Sequence, residues 1–165
     1  MRLNPFDADL LQGFGELISF ADLRSGRFGD IPRNLYGVYA VVCPSDAPPE
    51  FLERGTCGDF RGAPYSVLEL RGRWISGTRI LYLGKAGGPG IKETLRNRVL
   101  KYSSFGLGKN VPHGGGRAIW QIRGSESFQV CWKPTPDATP QDVETALRVR
   151  FRTHYGRLPF ANWLE

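Results

Sequence analysis

The sequence predicts an α+β domain with a small, mostly antiparallel central sheet flanked by helices. Three observations predict it. Short Val-, Ile- and Tyr-rich runs alternate with helical patterns. Several of the strand runs are close enough in sequence to pair antiparallel. Hydrophobic residues are 41% and charged residues 23% of the 165 residues, the balance of one ordinary globular domain.

Taken in order, residues 6–23 read as a loose amphipathic helix, with Phe6, Leu10, Phe14, Leu17, Ile18 and Leu23 for a core. It is weakened by Gly13 and Gly15. Residues 1–34 form an N-terminal helical extension. Residues 35–43, LYGVYAVVC, read as a buried strand that stops at Pro44. Residues 44–64 are rich in Pro, Gly and Asp and read as a loop, and residues 65–75 as a further strand or hairpin arm. Residues 79–83, RILYL, read as a strand ending at Gly84. The loop KAGGPG then leads into a helix at 91–103, and residues 106–116 are loop-like. Residues 117–123 and 127–133 read as two strands forming a hairpin about Gly124. The last helix has the clearest start, with Thr139 as N-cap, Pro140 at the first helical position and Asp142 completing a capping-box variant. Gly156 is its natural stop.

No apolar run approaches the roughly 20 residues of a membrane span. Asp7 and Asp9 stand where a secretory signal would need basic and then apolar residues, so a cytoplasmic location is expected. Cys43, Cys57 and Cys131 form no CxxC pair, and His113 and His154 are far apart. Idle or buried thiols are expected rather than a structural zinc site. The loop after Leu83 fits neither a P-loop nor a dinucleotide fingerprint, so no nucleotide cofactor is expected. No GxSxG pattern is present.

The net charge is +6, and its placement is uneven. Residues 1–30 carry three arginines against five acids, a net of −2. Residues 84–123 carry eight basic residues against Glu93 alone, a net of +7. Such a stretch suits a phosphate-rich partner; a solvated basic face is the alternative. Within it, Arg98 falls on the same helical face as Ile91, Leu95, Val99 and Tyr102, whereas Arg96 and Lys101 point away. A guanidinium among apolar side chains calls for an anion or a set of acceptors, unless it snorkels from the core edge. Glu144 borders the apolar stripe of the last helix. The helix dipole accounts for it there, and a half-buried carboxylate can equally hold a divalent metal.

Gly37-Val38-Tyr39 and Tyr82-Leu83-Gly84 resemble the two triplets of the GIY-YIG nuclease family. The likeness continues through Lys85-Ala86, through Leu95-Arg96-Asn97-Arg98-Val99 with Tyr102, through Thr139-Pro140 with Glu144, and through Leu158-Pro159-Phe160-Ala161-Asn162. It covers about residues 35–163. It departs from the family's pattern between the triplets, where 42 residues separate Tyr39 from Tyr82, so residues 44–78 are read as an insertion.

The resemblance implies a single nuclease domain over residues 1–165: a metal-dependent endonuclease that hydrolyses DNA phosphodiester bonds. A non-catalytic nucleic-acid-binding module on the same scaffold is the alternative. It further implies that Glu144 holds Mg²⁺ or Mn²⁺, that Arg98 pairs with the phosphate, and that Tyr39 or Tyr82 acts on the attacking water. Asn162 would orient its neighbours, with Lys85, Tyr102 and His113 in support. Lys92, Arg96, Lys101, Lys109 and Arg117 are expected to contact the DNA backbone. The oligomeric state is left open.

Overall fold

The computed structural model describes residues 2–60, 62–111 and 116–163. Its centre is an antiparallel sheet of four strands: β1 (Ile18–Ser19), β2 (Gly37–Val42), β3 (Ile80–Ala86) and β4 (Gln129–Pro134). Their spatial order is β1-β4-β2-β3. Five helices surround it: α1 (Pro5–Leu10), α2 (Phe20–Arg24), α3 (Val67–Arg73), α4 (Leu95–Phe105) and α5 (Pro140–Tyr155). The expected α+β class with an antiparallel sheet is therefore observed. Among the described residues, no helix is long and apolar enough to cross a membrane.

β2 is buried along its whole length, because both faces of the sheet are covered. Its register places Tyr39 opposite Gly84 and Val41 opposite Tyr82, and a shift then sets Val42 opposite Ile80. One face carries Tyr39, Val41, Tyr82, Val130 and Trp132, packed with Val99 and Tyr102 of α4 and with Trp120. The other carries Val38, Ala40, Val42, Leu83 and Cys131, packed with Leu147 and Phe151 of α5 and Leu10 of α1. The sheet is thus sandwiched between α4 on one side and α5 on the other. All three cysteines are free and buried, as expected.

β3 is an edge strand. The chain's last described segment covers part of that edge, where Ala161 N–H donates to Leu81 O at 2.8 Å. The Asn162 side chain then behaves like a short strand. It accepts from Leu83 N–H at 3.0 Å and donates to Leu83 O at 2.8 Å. Beyond Leu83 this cover ends, and Gly84 to Ala86 run on between α4 and α5.

Five expectations need correction. Residues 6–23 are two short helices separated by β1. Gly13 takes a left-handed φ of +80°, and Gly15 N–H turns to Trp132 O at 2.8 Å, so the chain leaves α1 to join the sheet. Residues 65–75 contain helix α3, nucleated by a full capping box between Ser66 and Glu69. Residues 117–121 form a 3-10 turn, because Ala118, Ile119, Trp120 and Gln121 are all buried and nothing alternates outward. No 117–123/127–133 hairpin exists; β4 starts at Gln129 and pairs with β2 and β1. Finally, the 91–103 helix begins at Leu95, capped by Thr94. Ile91 lies ahead of it, 49% exposed, and is not on its core face.

Candidate active site

Two glycines fix the geometry of the triplets. A Cβ on Gly37 would overlap Lys133 O and lie 2.9 Å from Pro134 Cα, so only glycine lets β2 approach β4 there. A Cβ on Gly84 would lie 2.6 Å from Tyr82 Cε1, 2.7 Å from Tyr39 Cζ and 2.8 Å from Tyr39 Oη. The two tyrosine rings lie across the bare backbone of Gly84, with centroids 5.9 Å apart.

At the open end of the β3 edge lies a cavity of about 180 Å³. Tyr82, Lys85, Glu93, Arg98 and Glu144 line it, together with Gly87 and Ile91. β3 supplies Tyr82 and Lys85 from opposite faces, α4 supplies Arg98 and α5 supplies Glu144. The sheet edge is the place where residues from both faces and both helical layers can meet.

Arg98 donates to Tyr39, and the Tyr39 and Tyr82 hydroxyls share a hydrogen bond. Arg98 also bonds Glu93 Oε2 at 3.2 Å, while Lys101 pairs with Glu93 Oε1 at 2.5 Å. Burial alone would lower the Arg98 pKa, but Tyr39, Tyr82 and Glu93 outweigh it and hold the guanidinium above its ordinary value. Burial and the neighbouring Tyr82 push Tyr39 well up. Tyr82 is raised by burial and by Glu144, while Arg98 and the Tyr39 hydrogen bond pull it back. Both hydroxyls are thus held above the ordinary phenol range, Tyr39 further than Tyr82. Of the two, only Tyr82 faces the cavity.

Glu144 is buried and its pKa is raised by desolvation, against the pull of Arg148, Lys85 and Arg98. Its partner on the helix is Arg148, 3.7 Å away. Among the described residues no three His, Cys, Asp or Glu side chains cluster, so a closed cage made only of protein ligands is not present. Of the two carboxylates that line the cavity, Glu93 is engaged by Arg98 and Lys101, which leaves Glu144 as the one to hold a metal. One protein carboxylate fits Mg²⁺, which keeps several waters and takes few protein ligands.

The structure thus brings Tyr82, Lys85, Arg98 and Glu144 together and sets Tyr39 directly behind them. Tyr102 does not line the cavity. It is fully buried, and its hydroxyl donates to Gly116 O at 2.6 Å. Asn162 acts from the far side through the Leu83 main chain, between Tyr82 and Gly84. His113 lies outside the described residues. None of the five basic residues expected to meet the backbone lines the cavity. Lys92 and Lys109 are exposed. Arg96 lies over Phe28 at 4.4 Å, Arg117 lies over Tyr65 at 4.4 Å, and Lys101 holds Glu93. Glu93 is the residue the sequence reading passed over. Its signal was its isolation, the only acid in a strongly basic stretch, five residues before Arg98.

Comparison with protein-family models, with curated proteins and with solved structures finds no match.

Proposed function

We propose that the chain is a metal-dependent endonuclease acting on DNA, in keeping with its resemblance to the GIY-YIG nucleases. One observation carries the reading: Tyr82 and Lys85 of β3, Arg98 of α4 and Glu144 of α5 line one cavity at the sheet edge. A binding module needs basic groups but has no use for a desolvated carboxylate beside a phenol.

Glu144 would hold Mg²⁺ or Mn²⁺, which when bound offsets charge on the scissile phosphate and the leaving oxygen. Arg98 offers a planar fork to the phosphate, and the substrate competes with Glu93 for it. Lys85 adds a second positive charge to the same cavity. Tyr82 would act as base in its phenolate form. Its own proton leaves first to solvent, the charge of Arg98 and the hydrogen bond shared with Tyr39 steadying the anion against burial and Glu144. The phenolate then takes the proton of the attacking water and returns to the neutral phenol. Gly84 and the Asn162–Leu83 bonds hold the rings in register.

The test is incubation with supercoiled plasmid, linear duplex and single-stranded DNA in Mg²⁺, Mn²⁺ or EDTA. Metal-dependent nicking that Glu144→Ala abolishes is the expected result. A gel shift with no cleavage in either metal refutes the enzyme and supports the binding module.

A further inference from the structure

A second cavity, of about 340 Å³, lies at the C-terminal end of α5 and is built from different residues. Arg73, Arg152 and Arg157 line it, with Gly156, Asn162 and Trp163 among the others, and no acidic residue is among its described lining. Its volume is at the lower end of small-ligand pockets, roughly 300–1,000 Å³. Three guanidiniums around one polar hollow call for an anion.

Two of the arginines, Arg73 and Arg157, are held in place rather than loosely displayed. Arg73 donates to Asn162 O at 2.8 Å, and its guanidinium lies 4.5 Å over the Trp163 ring. Trp163 is itself stacked on Tyr65 at 3.6 Å. Arg157 donates to Gly72 O at 2.6 Å. A guanidinium has five N–H donors, so one carbonyl bond leaves most of the fork available. Burial lowers the Arg73 pKa, and the like charge of Arg157 lowers it further, as expected of cations crowded together.

The cavity is connected to the candidate active site by α5. Glu144, Arg148 and Arg152 succeed one another every four residues along one stripe of that helix. Arg148 pairs with Glu144, and Arg148 and Arg152 both line a shallow groove that adjoins the arginine cavity through Arg152 and Leu158. Arg152 is thus eight residues beyond Glu144, about 12 Å along the helix axis. That matches roughly three to four nucleotides of axial rise at about 3.4 Å each.

We propose that this arginine cavity is a second phosphate site, which seats a backbone phosphate of bound DNA three to four nucleotides from the bond placed at Glu144. The inference rests on the nucleic-acid reading above. It sends the DNA along α5 towards Arg73 and Arg157, a direction that the basic stretch at 84–123 did not indicate. Arg73 also ties the 44–78 insertion to this path.

The experiment measures duplex DNA binding in EDTA by fluorescence anisotropy as a function of salt, for the native chain, Arg152→Gln, Arg157→Gln and Arg157→Lys. Tripolyphosphate is titrated calorimetrically in parallel. Arg152 and Arg157 are exposed, so the variants are expected to fold, and thermal melting checks it. Each Gln variant should reduce the slope of log affinity against log salt by about 0.9, the value of one lost phosphate contact. Arg157→Lys should keep most of the slope, and tripolyphosphate binding should weaken with both Gln variants. Unchanged slopes in both Gln variants overturn the proposal, even if the protein cleaves DNA. Loss of tripolyphosphate binding with unchanged slopes also overturns it, and makes the cavity a site for a small polyphosphate. Reduced slopes in a protein that cleaves nothing would sustain this site and refute the endonuclease.

Discussion

Gly84→Ala tests the geometry on which the tyrosine pair depends. The added Cβ would stand 2.6–2.8 Å from two ring carbons, Tyr82 Cε1 and Tyr39 Cζ, and the Tyr39 hydroxyl oxygen. Ordinary carbon contacts begin near 3.5 Å, so the rings must retreat by about 0.7–0.9 Å. They have little room to do so. Tyr39 is fully buried, and the Tyr102 ring stands behind both, with centroids at 6.3 Å from Tyr39 and 5.6 Å from Tyr82. Overpacking of this kind costs about 1–3 kcal/mol. A ring shift approaching 1 Å at the reacting group also costs roughly 10²-fold in rate. The control is Gly72→Ala. Gly72 lies inside α3, and a Cβ there meets nothing within 4 Å. Replacing glycine by alanine in an open helix position stabilises by about 0.5–1 kcal/mol. Urea unfolding followed by circular dichroism gives both numbers, and plasmid nicking gives the rate. If Gly84→Ala is as stable and as active as the native chain, the rings do not lie across that backbone and the proposed role of Tyr82 falls with them.

Three further outcomes are expected. Glu144 has a raised folded pKa, so it lessens stability as pH rises through and above its ordinary value of about 4.3. Glu144→Gln should therefore melt higher than the native chain at pH 7, the gain vanishing below about pH 4, while cleavage is lost; a variant that melts lower at pH 7 contradicts this. Arg98→Ala should slow cleavage by roughly 10²–10³-fold, with Arg98→Lys only partly restoring it. Combined with Glu144→Ala, its effect should be far from additive, and additive losses would show that the two residues do not serve one transition state. Asn162→Ala leaves the buried N–H and C=O of Leu83 without their side-chain partner, at about 2–4 kcal/mol in a urea melt. A loss below about 0.5 kcal/mol would mean that the edge of β3 does not need it.

Local chemistry determined a good part of this protein. The buried strand at 35–43, the strand at 79–83 and helix α5 with its Thr139 cap are set by residues within a few positions of one another, and each is legible in the chain. The second strand, however, does not end at Gly84 as expected but continues to Ala86. The Ser66–Glu69 capping box is equally local, and it makes residues 67–73 helix α3 where a strand or hairpin arm is expected. Where burial depends on partners far away, local pattern fails. The 3-10 turn at 117–121 looks like a strand until the core is seen to enclose all of Ala118, Ile119, Trp120 and Gln121. β1 exists only because β4 offers it an edge. The same division runs through the site. Arg98 and Glu144 stood out in sequence because a charge among apolar neighbours is locally anomalous. The inequality of Tyr39 and Tyr82, the hold of Glu93 on Arg98, and the meeting of Arg73, Arg152 and Arg157 were decided only by tertiary structure. Each depends on which side chains from distant segments share a low-dielectric space, and one-dimensional spacing carries no information about that distance.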